Sequence, residues 1–208
     1  MNLPIAFNET LETIRHKQTL PPILVQILDS IAIQERCETS LLASLRAKTT
    51  FNEWVAALLV INPKALLKDG TCLDLSELMN GATASLKDLQ QIEISLGENE
   101  WAVMAKISNT PVDRSIISNL IYIRLEGNNI KQARIAFTGV SSAPYEISST
   151  SQFLTGKELD QNLIEEIQNR IQEEFNPPDV FIATSLYRKE MAAVLVKRNL
   201  EKIMHGGH

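Results

Sequence analysis

Ser118-Asn119-Leu120-Ile121-Tyr122-Ile123-Arg124-Leu125-Glu126, then Gly127-Asn128-Asn129, then Ile130-Lys131-Gln132-Ala133-Arg134-Ile135-Ala136-Phe137-Thr138 is the stretch that decides the fold. Its first run sets Leu120, Tyr122 and Arg124 against Ile121, Ile123 and Leu125, a period of two with one face more apolar than the other. Its second run puts Ala133, Ile135 and Phe137 on one face. Between them Gly127-Asn128-Asn129 supplies residues that tolerate the positive φ of a tight hairpin. The spacing therefore predicts an antiparallel hairpin, and Trp101 to Ile107 upstream adds a third strand.

Downstream the period changes. Leu159, Leu163, Ile164, Ile167, Ile171 and Phe175 form a helical stripe that Asn176-Pro177-Pro178 ends, and Ser185 to Met204 reads as a terminal helix presenting Leu186, Met191, Val194 and Leu195. Strands followed by helices imply an α+β class, with helices packed on a three-stranded antiparallel sheet.

Upstream the chain reads mostly as short helices. Asn8 precedes one that ends in Arg15, His16 and Lys17; Pro21-Pro22 open a second with Ile23, Leu24, Ile27, Leu28 and Ile31 facing inward. Glu35 to Thr50 is ambiguous, with Leu41, Leu42 and Leu45 suiting a helix that starts near Thr39. A further helix through Trp54, Val55, Leu58 and Leu59 stops at Asn62-Pro63, because the residue before proline is pushed out of the α region. Ala65 to Lys68 and Thr71 to Leu73 suit short strands around Asp69-Gly70, Leu75 to Met79 a helical turn, and Ile92 to Leu96 another strand. The expected division is a first domain over 1–90, a second over 91–204 and a tail over 205–208.

Composition narrows the function classes. The 208 residues are 44% hydrophobic and 22% charged, with 8 Gly and 8 Pro, which suits an ordinary globular chain and excludes fibre or disorder. A net charge of -5 removes the cationic surplus that phosphate-backbone binding needs, so no nucleic-acid partner is expected. The longest apolar run, Trp54 to Ile61, is far below the ~20 residues that cross a bilayer. With no leader-like N-terminus and only Cys37 and Cys72, a cytoplasmic location, no membrane insertion and no disulfide framework are expected, each cysteine reading as a small buried hydrophobe.

No catalytic constellation emerges. His16 lies in a cationic helix end, and His205 and His208 in a Gly-containing tail, so no metal site is expected. Glu165-Glu166 and Glu173-Glu174 fall on the outward side of a helix as a solvated face, and Trp54 and Trp101 read as core. Motifs for metalloprotease, α/β-hydrolase or P-loop chemistry are absent from the sequence.

A resemblance adds what spacing does not. Ala133-Arg134-Ile135-Ala136-Phe137-Thr138-Gly139-Val140, Pro144, Leu154-Thr155-Gly156-Lys157, Tyr187-Arg188-Lys189-Glu190-Met191-Ala192 and Val194-Leu195-Val196-Lys197-Arg198 together resemble the C-terminal domain of the FAD-carrying medium subunits of molybdenum hydroxylases, the carbon monoxide dehydrogenase and xanthine dehydrogenase type. The likeness runs from about Ile92 to Ile203. Pro21 to Ala32, Trp54 to Leu67 and Leu73-Asp74-Leu75 resemble the second half of that subunit's FAD-binding domain, so the first domain is expected to be a remnant of the second FAD-binding subdomain.

Two departures qualify the resemblance. The sequence begins where the family's second FAD subdomain begins, so the first subdomain and its glycine-rich loop are expected to be missing. The other pyrophosphate loop, Arg-Asn-x-Gly-Thr-x-Gly-Gly-Asn in the family, is Glu35-Arg36-Cys37-Glu38-Thr39-Ser40-Leu41-Leu42-Ala43 here, and only Thr39 is kept. Glycines let backbone N–H groups approach a diphosphate; Glu38, Leu41 and Leu42 add bulk and a negative charge there.

Lys106-Ile107-Ser108 and Asp113 align with the family's strand whose lysine sits beside the flavin ring, with Asn109 where arginine is common. By resemblance, the cofactor-contacting residues are Thr39 and Lys106. The implied function is a degenerate flavoprotein-type subunit, a structural or docking component of a molybdenum hydroxylase complex, with no FAD held by the chain alone. Its implied partners are iron–sulfur and molybdopterin subunits. Two other readings are an electron-transfer subunit whose FAD site a partner chain completes, and a homo-oligomeric interaction module that covers an apolar face.

Overall fold

The computed structural model describes residues 2–81, 84–110, 115–139, 144–179 and 183–206. The chain divides into two compact units, residues 1–97 and 98–208.

The first unit holds β1 (Leu3–Ala6), α1 (Leu11–Arg15), α2 (Pro22–Asp29), α3 (Ile33–Glu38), α4 (Leu41–Arg46), α5 (Asn52–Ile61), β2 (Lys64–Leu67), β3 (Cys72–Asp74), α6 (Leu75–Asn80) and β4 (Leu89–Ile94). Its sheet runs β1-β4-β2-β3 with every pair antiparallel. Because β4 pairs with both β1 and β2, the first unit extends through this strand to Gly97. The predicted boundary at 90–91 falls inside β4.

Helix starts and stops follow side-chain chemistry. Thr10 and Ser40 accept from the amides of Thr13 and Ala43 to cap α1 and α4, and Asp74 with Glu77 forms a capping box on α6. α5 is buried almost all round, and Trp54 within it has no exposed surface. It ends on Asn62, whose φ of 52° is left-handed, and Asn62 Oδ1 then accepts from the Ser76 amide at 2.8 Å. The ambiguous stretch resolves as two short helices, α3 and α4, separated by Thr39 and Ser40.

In the second unit β5 (Glu100–Ile107), β6 (Ile117–Glu126), β7 (Asn129–Thr138) and β8 (Tyr145–Glu146) form an antiparallel sheet in that order. The expected hairpin is present with a two-residue loop, and Gly127 takes the positive φ of 58° that such a turn requires. The sheet has four strands, not three. Its fourth, Tyr145–Glu146, is too short to carry a period, and only pairing with Ala136 and Phe137 defines it.

α7 (Ser148–Leu154), α8 (Gln161–Glu174) and α9 (Ser185–Met204) complete the unit. Val103, Ile121, Ile123, Ile135 and Phe137 on one sheet face pack with Ile164, Ile167 and Ile171 of α8 and Ala192, Leu195 and Val196 of α9 in a continuous apolar core. The α+β class and the packing of helices on the sheet thus match the expectation. Asn199 of α9 enters that core because its Nδ2 donates to the backbone and side-chain oxygens of Asn119, at 3.1 and 2.9 Å.

Both cysteines differ from expectation. Cys37 and Cys72 are exposed, the first because α3 buries none of its residues, the second because it lies on the edge strand β3. Among the described residues no helix is long and apolar enough to cross a membrane.

Candidate functional site

The residues that stand where the family has its pyrophosphate loop lie in the first unit, and the amides of Thr39, Leu41, Leu42 and Ala43 are already engaged. The Thr39 amide bonds the Glu35 carbonyl at 3.0 Å, the Leu41 amide reaches Glu9 O at 2.8 Å, and the Leu42 amide reaches Phe7 O at 3.0 Å. The Ala43 amide donates to Ser40 Oγ at 3.2 Å. Thr39 also returns its carbonyl to the Leu11 amide at 2.9 Å.

These bonds tie the segment after β1 to the α3–α4 corner. A diphosphate cradle requires several consecutive N–H groups turned toward empty space. Here they are turned into the fold.

Arg36 reinforces the same arrangement. Its Nη1 donates to Leu28 O at 2.9 Å and Ile31 O at 2.6 Å, and its Nε pairs with Glu12 at 2.5 Å. That hydrogen bond from Arg36 is the main reason the Glu12 carboxyl is held below its ordinary pKa, with His16 adding to it. Leu41 is fully buried, so it is a core residue and not part of an open loop. Thr39 is half-buried with an extended backbone, φ -105° and ψ 121°. The residues present at 35–43 do not fit an FAD diphosphate.

Lys106, the other residue carried over by resemblance, lies in the second unit near the end of β5. The register sets it opposite Ser118, and Ser118 opposite Thr138, so the three form one row across three strands. Ser118 Oγ and Thr138 Oγ1 share a hydrogen bond of 2.5 Å, and both residues have no exposed surface. The row occupies the sheet face opposite the one that packs on α8 and α9. The register sets Lys106 at the end of this row, while the two hydroxyls are engaged with each other.

Further along that face, Met104, Leu120, Tyr122 and Ala136 are buried. Burial is the main cause that pushes the Tyr122 phenol up to about 12, with the Glu100 carboxylate adding to it. Alkaline titration followed by tyrosine absorbance is expected to show a phenol, that of Tyr122, ionising well above the ordinary value of 10.0, at about 12. Its folded value lies above the unfolded one, so the stabilisation is complete below about pH 10 and falls away between about pH 10 and 12. If Tyr122→Phe lost no absorbance step above about pH 11, the buried position would be contradicted.

The remaining candidates behave as structural groups. His16 Nε2 meets Glu12 at 2.9 Å, and His205 caps the end of α9. Glu165, Glu166 and Glu173 are exposed, while Glu174 accepts from Ser149 and Thr150 at 2.8 and 3.0 Å. Trp54 is core as expected, and Trp101 packs partly buried against the second unit's core. Among the described residues no group of three or more His, Cys, Asp or Glu is placed to hold a metal. Asp113, Val140 and His208 lie outside the described residues. Reading from residues missed Arg188, which the motif carried without a role and which is fully buried.

Comparison with known proteins bears on this arrangement. Residues 106–203 match the CO dehydrogenase flavoprotein C-terminal domain. Over 113 residues, 54% of this chain, the sequence is 26% identical to the glyceraldehyde dehydrogenase medium chain of Sulfolobus acidocaldarius; the match spans 40% of that relative. Among solved structures, CO dehydrogenase from Hydrogenophaga pseudoflava superposes with a TM-score of 0.77 at 15% identity, covering 100% of this chain and 76% of that one. Quinoline 2-oxidoreductase from Pseudomonas putida 86 gives 0.74 at 17% identity, covering 99% and 75%. These two likenesses establish the fold.

Proposed function

We propose, from the premise that residues 106–203 belong with the CO dehydrogenase flavoprotein C-terminal domains and that the chain is related to the FAD-carrying medium subunits of molybdenum hydroxylases, that this protein is a docking component of such a complex and holds no FAD by itself. The carrying observation is the engagement of the Thr39, Leu41, Leu42 and Ala43 amides in bonds within the chain. A nucleotide arriving there would meet the Leu42 side chain and the carboxylate of Glu38, with Leu41 closed into the core behind them. Bulk, charge and the lack of free donors all oppose it.

Its partners on this reading are the iron–sulfur and molybdopterin subunits, in the cytoplasm, and the protein contributes no catalytic group. The test is a titration of the purified full chain with FAD, followed by flavin fluorescence and by absorbance after gel filtration. No retained flavin at micromolar concentrations is expected. Stoichiometric, tight retention by the unaccompanied chain would overturn the reading.

One observation favours a second reading, in which a partner chain completes the flavin site of an electron-transfer subunit. Lys106 stands opposite Ser118, and Ser118 opposite Thr138, in the sheet register, and by resemblance Lys106 aligns with the family's lysine beside the flavin ring. Affinity purification from the source cell separates the readings. A yellow complex whose flavin is lost on Lys106→Met supports the completed site, a colourless complex with hydroxylase subunits supports docking, and a homo-oligomer alone opposes both.

A further inference from the structure

Arg188 is the only charged side chain among the described residues counted as fully buried, yet it has no carboxylate partner there. It lies in the second turn of α9. The start of that helix is already capped: Thr184 Oγ1 accepts from the Tyr187 amide at 3.2 Å, and Asp179 Oδ1 from the Ser185 amide at 2.6 Å. Arg188 Nη1 donates to Gly139 O at 2.8 Å, where β7 ends. Its Nε and Nη2 are buried and have no hydrogen-bond partner among the described residues.

Those two nitrogens are the ones that matter for recognition. On a guanidinium their N–H bonds lie parallel in one plane, the edge that takes both oxygens of a carboxylate or phosphate. Arg15 uses this same edge on Asp29, with Nε to Oδ1 at 2.7 Å and Nη2 to Oδ2 at 3.2 Å. In Arg188 the edge is intact and unfilled.

A guanidinium does not shed its charge in a protein, and a buried charge facing one neutral carbonyl is poorly compensated. Asp179 attracts Arg188 through space while its Oδ1 accepts from the Ser185 amide. Among the described residues no carboxylate oxygen bonds the Nε/Nη2 edge.

We propose that the Nε/Nη2 edge of Arg188 is a receptor for a small anion with two coplanar oxygens, a carboxylate or a phosphate, at the junction of β7 with the start of α9. Because the edge has no exposed surface, the anion is held as a buried group and not as a surface counterion. Shape favours it: a two-oxygen anion gives each N–H its own acceptor in a near-linear bond, whereas a single chloride ion must share itself between two bent ones.

The full chain, exchanged into chloride buffer, is titrated at constant ionic strength with inorganic phosphate and separately with formate. The thermal midpoint and the ¹⁵N resonance of the Arg188 Nε group are followed. A saturable rise in midpoint with phosphate or with formate is expected, following the concentration law for a ligand that binds the folded state only. Whichever anion acts identifies its chemical source. The apparent affinity is expected to fall at least tenfold in Arg188→Lys, which keeps the charge and a donor for Gly139 O but has no two-pronged edge. No rise with either anion, or equal curves for the two proteins, overturns the proposal. If Arg188→Lys does not fold, the wild-type Nε resonance decides: saturable movement supports the receptor, and an unmoved resonance removes it.

Discussion

Gly139→Ala is expected to destabilise the second unit by about 2–5 kcal/mol, combining ~1–2 for a left-handed backbone with ~1–3 for overpacking. The reason is specific to this glycine. Its φ is +82°, and an added Cβ would lie 2.7 Å from Ile116 O and 2.9 Å from Ser115 O, both backbone atoms that cannot rotate away. Gly139's own carbonyl accepts from Arg188 Nη1, so relief by movement of the chain at the end of β7 would disturb the start of α9. Gly156→Ala is the control. Gly156 has a similar φ of +86° but nothing within 4 Å of the added carbon, so its loss should be about 1–2 kcal/mol, the conformational part alone. Denaturant unfolding followed by Trp101 fluorescence reports the second unit, and equal losses at the two positions would exclude the close approach.

Trp54→Ala is expected to cost the first unit about 3–5 kcal/mol, in the range of large aromatic truncations. Trp54 has no exposed surface, and its indole Nε1 donates to the buried Ser44 Oγ at 3.1 Å, while Ser44 Oγ donates onward to Leu41 O at 2.7 Å. The substitution therefore opens a cavity beside the corner that carries Leu41 and Leu42. Trp54→Phe keeps most of the bulk and should lose much less. Hydrogen exchange is the suitable measurement, because the fluorophore itself is removed. Protection is expected to fall in β1, β4 and α5; an unchanged pattern there would place Trp54 outside the first unit's core.

The elements legible in the sequence were those whose period and punctuation agreed. β6 and β7 alternate cleanly around Gly127, and α8 keeps a stripe from Leu163 to Ile171 that Pro177 closes off. β1 escaped because four residues carry little period and Pro4 argues against a strand; the edge position of β1 tolerates the missing donor. α7 escaped because Ser148-Ser149-Thr150-Ser151 reads as loop. In the fold Ser151 Oγ accepts from the Ile135 amide and donates to Ile147 O, so its hydroxyl serves tertiary contacts that no local pattern encodes.

The site divides the same way. That 38, 41 and 42 are not glycine is visible as residue identity, but the destinations of the Leu41 and Leu42 amides are not. Lys106 could be aligned, whereas its row with Ser118 and Thr138 depends on strand register. Arg188 was invisible as a site, since nothing local distinguishes an arginine with its head in water from one with its head enclosed.

The two bonds from Leu41 and Leu42 to Glu9 and Phe7 set a limit on redesign. Glycine at 38, 41 and 42 would not by itself open a nucleotide seat, because the same amides moor the strand-to-helix passage at the start of the chain, and removing the Leu41 side chain would leave a hole in the core. Cofactor capture and the present architecture would draw on one set of donors, so any substitution aimed at the first would have to loosen the second.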